Sequence, residues 1–288
     1  MSERVAPGVL RFATRTPTLP PATHTNSYLL EGGGEALLVE PASPYPDEQR
    51  AFLAWVRAQD RAKPLAIVAT HHHPDHIGGA VIYAEQLGLP LWAHERTAAL
   101  LPGLSFARHL RDGEQLRLGE STWHVLHTPG HASGHVCLHD ADNGTLIVGD
   151  MVASIGTILI PPDDGDMREY LRQLERLAAL DARRALPAHG DPIDDPSVLF
   201  RAYVAHRLAR EAKVVQALAG SEGDGAGDAE RDAGRGAPIT LEALLATVYG
   251  DVAPEALPFA LLSLRAHVDK LVRDGRVIES HDGHVRLA

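Results

Sequence analysis

The stretch THHHPDHIGG, Thr70 to Gly79, puts four histidines and an aspartate into six consecutive positions. It follows the apolar run LAIVA and precedes a helical segment beginning near Ile77. Side chains alternate along extended backbone, so His71 and His73 point the same way and both imidazoles reach one cation. Pro74 breaks the extended run, and the turn behind it lets Asp75 and His76 face a second cation. Imidazole nitrogen and carboxylate oxygen suit zinc, and also iron or manganese. Three further residues stand where an apolar strand gives way to a loop: His131 after WHVLH, Asp150 at the end of TLIVGD, and His189 after RRALPA. Such junctions hold reactive side chains on a rigid scaffold. A carboxylate such as Asp150 can bridge two cations, which one imidazole nitrogen cannot. No Ser-His-Asp or reactive-cysteine arrangement competes for the role of nucleophile.

The elements that position these residues are short apolar runs bounded by turn residues: SYLL, EALLVE, PLAIVAT, LPLWAH, STWHVLH, HVCLHD, TLIVGD and RRALPAH. Helical patterns lie between them, with Phe52, Trp55 and Val56 at i, i+3, i+4. Met167, Tyr170 and Leu171 repeat that spacing, continued by Leu174 and Leu177. The alternation predicts two sheets packed face to face with helices outside, although parallel α/β layers leave similar marks. From Pro196 a helical pattern runs through SVLFRAYVAHRLAREAKVVQALA. GSEGDGAGDAERDAGRGAP then shows no apolar periodicity and reads as a linker. TLEALLATVYG and LLSLRAHVDKLVRDG read as helices, and RVIES and HVRLA as a hairpin across Asp282-Gly283. Helices followed by a hairpin describe a winged-helix unit. The expected division is a hydrolase domain over 1–200, a connecting helix over 201–220, a linker over 221–238 and a winged-helix domain over 239–288.

The order H-x-H-x-D-H, a distant His, an Asp and a final His resembles the metallo-β-lactamase superfamily over roughly the first 200 residues. That resemblance implies a four-layer αββα sandwich, an α+β fold. It also implies a ligand set: His71, His73 and His131 on one metal, Asp75, His76 and His189 on the other, Asp150 bridging. Two divalent cations about 3.5–4 Å apart lower the pKa of a shared water towards 7 and supply a hydroxide for hydrolysis. Zinc is the expected metal, with iron or manganese also suited. Asp75 is the candidate catalytic group, orienting that hydroxide and carrying a proton.

Asp150 stands where the β-lactamases of this superfamily characteristically have Cys or Ser, so antibiotic hydrolysis is not expected. The pattern is closer to glyoxalase II-type thioester hydrolases. HTNSYLL, TPGHASGHVCL, GDMVASIGTILIPPDDGDMREYL, LPAHGDPIDDP and AHRLARE resemble the branch containing β-lactamase-like protein 2, which carries a winged-helix tail. The expected function is binuclear-metal hydrolysis of a thioester, ester or similar small substrate. One alternative is an endoribonuclease or phosphodiesterase acting on single-stranded RNA, a class that this branch includes. Another is a regulator whose winged helix binds DNA or a partner protein.

Several residues have more than one reading. Tyr28 and Ile155 to Ile160 are candidate pocket-wall positions. Arg201, His206 and Arg207 are candidates for holding a substrate carboxylate or phosphate, or else belong to a solvated helix face. His72 is expected to be exposed or to back a ligand, and His24, His124, His127 and His135 to be structural or to back a ligand rather than bind metal. Gly78 and Gly79 are expected to allow close packing behind the ligands.

Composition narrows the partners. Lys plus Arg total 27 against 38 Asp plus Glu, a net charge of −11 that disfavours non-specific binding to nucleic acid or anionic membranes. Arg265, Lys270, Arg273, Arg276 and Arg286 face seven acids within 238–288, which favours a structural winged helix over a DNA reader. Cys137 is the only cysteine, so no intrachain disulfide forms and it is expected to be a small buried hydrophobe. No run approaches the roughly 20 apolar residues of a membrane span, and the N-terminus lacks a signal-peptide run. A cytoplasmic protein acting on a small molecule is expected; a homodimer is compatible with the sequence.

Overall fold

A computed structural model of the chain describes residues 3–221 and 237–288. Its first sheet has seven strands in chain order: β1 (Glu3–Ala6), β2 (Val9–Arg15), β3 (His24–Gly32), β4 (Glu35–Val39), β5 (Lys63–Val68), β6 (Leu91–His94) and β7 (Phe106–Leu110). β1 to β4 pair antiparallel and β4 to β7 parallel. Parallel neighbours need crossovers, and α1 (Pro46–Arg57), α2 (Pro74–Ile77), α3 (Ala80–Leu87) and α4 (Glu95–Leu100) lie in them. The second sheet has the order β13-β12-β11-β10-β9-β8. Its strands are β8 (Gln115–Leu118), β9 (Ser121–His127), β10 (Val136–Asp140), β11 (Thr145–Gly149), β12 (Arg184–Pro187) and β13 (Ile193–Asp194). Here only β11 and β12 are parallel, with α5 (Met167–Ala178) between them.

Strand alternation assigns each face. From β4, Leu37 and Val39 meet Trp123, Val125, Val136, Leu138 and Ile147 of the other sheet, forming the layer between the sheets. Ala36 and Leu38 of the same strand point the opposite way, onto Phe52, Trp55, Val56 and Tyr83 of α1 and α3. In the second sheet Cys137, Leu146 and Val148 face Tyr170, Leu171, Leu174 and Leu177 of α5, with Phe200 of α6 (Pro196–Ala219). The layers therefore run helix, sheet, sheet, helix, an αββα sandwich with both sheets buried on both faces. β1, β2, β7, β8 and β13 carry no run long enough to be read from the sequence.

Beyond α6 come α7 (Leu241–Val248), α8 (Leu257–Arg273) and the hairpin β14 (Val277–Glu279) and β15 (Val285–Leu287), a winged helix. Its core joins Leu244, Leu264, Val268, Leu271 and Val285 to Val214 and Leu218 at the end of α6. Most of the expected linker, residues 222–236, lies outside the described residues. The cations of the winged helix have intramolecular partners. Arg265 meets Glu279 at 2.5 Å, Lys270 meets Glu211 at 2.8 Å, Arg276 meets Glu211 at 3.1 Å, and Arg273 pairs with Asp166. Among the described residues no helix is long and apolar enough to cross a membrane.

Candidate metal centre

The ends of four strands deliver the centre. His71 follows β5 and is completely buried. Pro74 at the start of α2 turns the chain, so that Asp75 and His76 come back towards His71. A Cβ on Gly78 would stand 2.8 Å from Pro74 O, and one on Gly79 would stand 2.8 Å from Ser43 O. Only glycine lets this turn press against the β4–α1 loop, as expected. His131 follows β9, Asp150 follows β11 and His189 follows β12. Gly149 has φ +48°, and a Cβ there would lie 2.5 Å from His135 Nε2.

Three ring nitrogens converge first. His71 Nε2 lies 2.9 Å from His73 Nδ1 and 3.2 Å from His131 Nε2, and the last two are 2.9 Å apart. Separations of about 3 Å suit donors sharing one tetrahedral cation. A second group joins Asp75, His76 and His189: His76 Nε2 is 3.6 Å and His189 Nε2 3.4 Å from Asp75 Oδ2. Asp150 touches both. Its Oδ2 lies 3.5 Å from His76 Nε2 and 3.5 Å from His131 Nε2, and its Oδ1 3.4 Å from His189 Nε2. All seven residues carried by the sequence pattern thus meet in one cluster.

Partners behind the rings fix which nitrogen faces inward. His131 Nδ1 donates to Leu159 O at 2.7 Å and His189 Nδ1 to His24 O at 2.9 Å, leaving each Nε2 as an acceptor. Thr70 Oγ1 gives its proton to Glu40 Oε1 at 2.5 Å and accepts from His71 Nδ1 at 3.0 Å. His76 turns Nδ1 to Glu40 Oε1 at 3.2 Å and keeps Nε2 for the carboxylates. His135 supports rather than joins the cluster: its Nε2 accepts from Asp150 N at 3.1 Å. Glu40 and Leu159 O are the contributors that sequence reasoning missed.

The electrostatics fit a pair of cations. Burial and then His131, His72 and His76 push the His73 imidazole down to about 2, so that corner offers neutral donors. Burial opposes charge on His189 as well, yet Asp150 and Asp75 push it up to about 10. Burial likewise opposes charge on His76, but Asp75, Asp150 and Glu40 hold it well above the ordinary histidine value. The carboxylate side of the cluster favours positive charge, while Asp150 Oδ1 and His76 Nε2 are buried without a hydrogen-bond partner. Orphaned buried polar atoms of this kind are rare, and a bound cation satisfies them. The donor set therefore fits two divalent cations.

A cavity of about 250 Å³ opens onto His73, Asp75, His131, Asp150 and His189. Its walls are the loops 17–22 and 153–161, which include Ile155, Ile158 and Leu159, and among the described residues no lysine or arginine lines it. Four expected substrate contacts lie elsewhere. Tyr28 is fully buried and donates to Pro187 O at 2.6 Å, bracing β3 against the second sheet. Arg201 is exposed and donates to Ser197 Oγ at 3.4 Å, and His206 is exposed on α6. Arg207 turns inward, 4% exposed, and donates to Ile158 O behind the cavity wall. His72 is half-buried with Nδ1 3.7 Å from Asp164 Oδ2, outside the cluster.

The Metallo-beta-lactamase superfamily model matches residues 20–189, and the chain belongs to that superfamily of metal-dependent hydrolases. The Beta-lactamase associated winged helix domain matches residues 240–284. Beta-lactamase-like protein 2 homolog of Caenorhabditis elegans is 27% identical, over 97% of this chain and 89% of its own. Atrochrysone carboxyl ACP thioesterase of Aspergillus chevalieri is 27% identical, over 99% of this chain and 87% of its own. A metallo-beta-lactamase family protein from Thermus thermophilus superposes with TM-score 0.75 at 25% identity, covering 98% of each chain.

Proposed function

We propose that the chain hydrolyses a thioester or ester whose acyl portion is small and uncharged. The observation that carries this reading is the cavity wall: apolar loops surround the metal cluster and place no lysine or arginine beside it. A phosphate or carboxylate on the acyl portion would find no cationic side chain there. The relative named as an ACP thioesterase supports an acyl carbonyl as the target.

In this reading His71, His73 and His131 would hold one cation and Asp75, His76 and His189 the other, with Asp150 within reach of both ligand groups. When bound, two divalent cations supply Lewis acidity that makes water nucleophilic near neutral pH and polarises a substrate oxygen. Zinc is the metal we assign, on the imidazole-rich donor set. The chain's own contribution is then positional. Asp75, its carboxylate held low against burial by His76 and His189, faces the cavity as an ionised acceptor. It orients the attacking water and accepts its proton. Ile155, Ile158 and Leu159 exclude bulk water from the acyl group. The winged helix is architecture in this account, since Arg265, Lys270, Arg273 and Arg276 are committed to internal partners.

The test is turnover by zinc-loaded protein of butyryl-coenzyme A, an acyl-glutathione and a fluorogenic single-stranded RNA, side by side, with Asp75→Ala as control. Hydrolysis of the acyl substrates, lost in the variant, supports the reading. Turnover of RNA alone overturns it in favour of a nuclease.

A further inference from the structure

The cavity wall is part of a loop from Asp150 to Asp166, between β11 and α5, with no regular structure. Across its middle, 155–160, no main-chain group bonds to another main-chain group among the described residues. Unpaired backbone in a partly buried segment needs other partners to keep its shape. It has three. Arg207 Nη2 donates to Ile158 O and lies 3.5 Å from Thr157 Oγ1, and Leu159 O accepts from His131 Nδ1 at 2.7 Å. One turn earlier on α6, the Tyr203 hydroxyl accepts from Ala153 N at 3.3 Å and donates to Ala153 O at 3.2 Å. Four residues apart, Tyr203 and Arg207 share one face of the helix.

Arg207 is an expensive choice for that position. Burying a guanidinium costs free energy unless its donors are used, and a leucine or methionine would fill the same space beside Tyr170. What a hydrocarbon cannot do is hold the Ile158 carbonyl. The carbonyl of the next residue, Leu159, is the one that sets the His131 ring. On the same side, α8 packs onto this core through Ala266, buried with Tyr170 and Phe200.

We infer that Tyr203 and Arg207 are positioning residues, a two-point clamp from α6 on segment 153–158. The clamp keeps the cavity wall in place and keeps Leu159 O at His131 Nδ1, so that His131 Nε2 stays turned to His71 and His73. The inference rests on the reading of His131 as a metal ligand.

The experiment uses the full chain as wild type, Arg207→Met, Arg207→Lys and Tyr203→Phe. Zinc affinity is measured by competition with a chromogenic chelator, and KM and kcat with 4-nitrophenyl butyrate. Removing a group that orients a metal ligand typically costs 10–100-fold in affinity. Arg207→Met is expected to lose zinc affinity by about that factor while retaining a cooperative melt, with KM raised by about tenfold. Arg207→Lys, whose ammonium still donates to Ile158 O, recovers most of both, and Tyr203→Phe loses less in the same direction. Wild-type zinc affinity and KM in Arg207→Met, with only a lowered Tm, would make Arg207 merely structural and overturn the clamp. Should Arg207→Met fail to fold, unchanged zinc affinity and KM in Tyr203→Phe overturns it instead. A wild type that binds no zinc defeats the metal reading before any substitution is made. A wild type that binds zinc but spares the ester defeats only the acyl reading, and the zinc arm still decides.

Discussion

Asp150 N donates to His135 Nε2 at 3.1 Å, and His135 Nδ1 is anchored on Thr128 Oγ1 at 2.8 Å. The bond fixes the backbone of the residue whose carboxylate reaches both halves of the cluster. It ties the end of β11 to the loop before β10, and the left-handed Gly149 makes room for the ring. A histidine that binds no metal in our assignment thus sets the position of the bridging side chain.

Asp150→Ala removes that carboxylate, and we expect loss of at least one of two bound metals by elemental analysis, with turnover reduced to background. His135→Ala leaves the carboxylate but frees its backbone. We expect metal affinity and turnover to fall about 10–100-fold, the range for groups that orient ligands. Near-normal activity in Asp150→Ala would remove the bridging role altogether.

Glu40 faces His76 Nδ1 at 3.2 Å and accepts from Thr70 Oγ1, which in turn holds His71. One carboxylate thereby lies behind both halves of the cluster, beside His76 and, through Thr70, His71. Glu40→Gln keeps the size but presents one oxygen and loses the charge. We expect both zinc equivalents to weaken by about tenfold or more in chelator competition. A loss at only one site would show that the Thr70 relay to His71 is dispensable.

The contrast between these residues explains what the sequence discloses. His71, His73, Asp75 and His76 crowd together within one turn after β5, so their spacing alone carries their chemistry. Glu40 directly follows β4, and reaches His76 only because β4 and β5 pair in parallel with Val39 beside Val68. That register is invisible in composition or periodicity. The apolar runs that make the sheets are legible because both faces of each are buried; the short edges β1 and β13 are not. Arg207, a candidate for a substrate contact or a solvated helix face, and Tyr28, a candidate for the pocket wall, are instead both buried away from the cavity. A helix pattern does not say whether an arginine turns outward or inward, nor does a strand pattern say which sheet face a tyrosine takes.

His267 gives a pH dependence with a definite sign. Burial, then Arg207, Lys270, Arg210 and His206, push its imidazole down to about 3, and both ring nitrogens are buried without partners. The cations facing it come from α6 (Arg207, Arg210, with His206) and from α8 itself (Lys270). The unfolded chain therefore binds a proton near pH 6.5 that the folded chain refuses until about 3. Its contribution is fully present above about pH 6.5 and is lost as pH falls through that window, at up to about 1.4 kcal/mol per pH unit. His267→Leu fills similar space without a titrating group. We expect its Tm to match or exceed wild type at pH 7 and to fall less between pH 7 and 5; parallel curves would exclude His267 as a source of acid sensitivity.

Leu19, 46% exposed, stands on the 17–22 wall of a cavity that has no lysine or arginine. If the missing cation is what excludes charged acyl groups, supplying one should reverse the preference without disturbing the fold. Leu19→Arg replaces an exposed side chain, so stability should change by no more than about 0.5 kcal/mol. A hydrogen bond to a charged group contributes about 1.5–3 kcal/mol, which corresponds to about tenfold or more in binding. We therefore expect kcat/KM for a succinyl thioester to rise about tenfold relative to butyryl, chiefly through KM. An unchanged ratio would mean that the acyl chain does not pass Leu19, and that the selectivity of the site is set deeper, at Ile158 and Leu159.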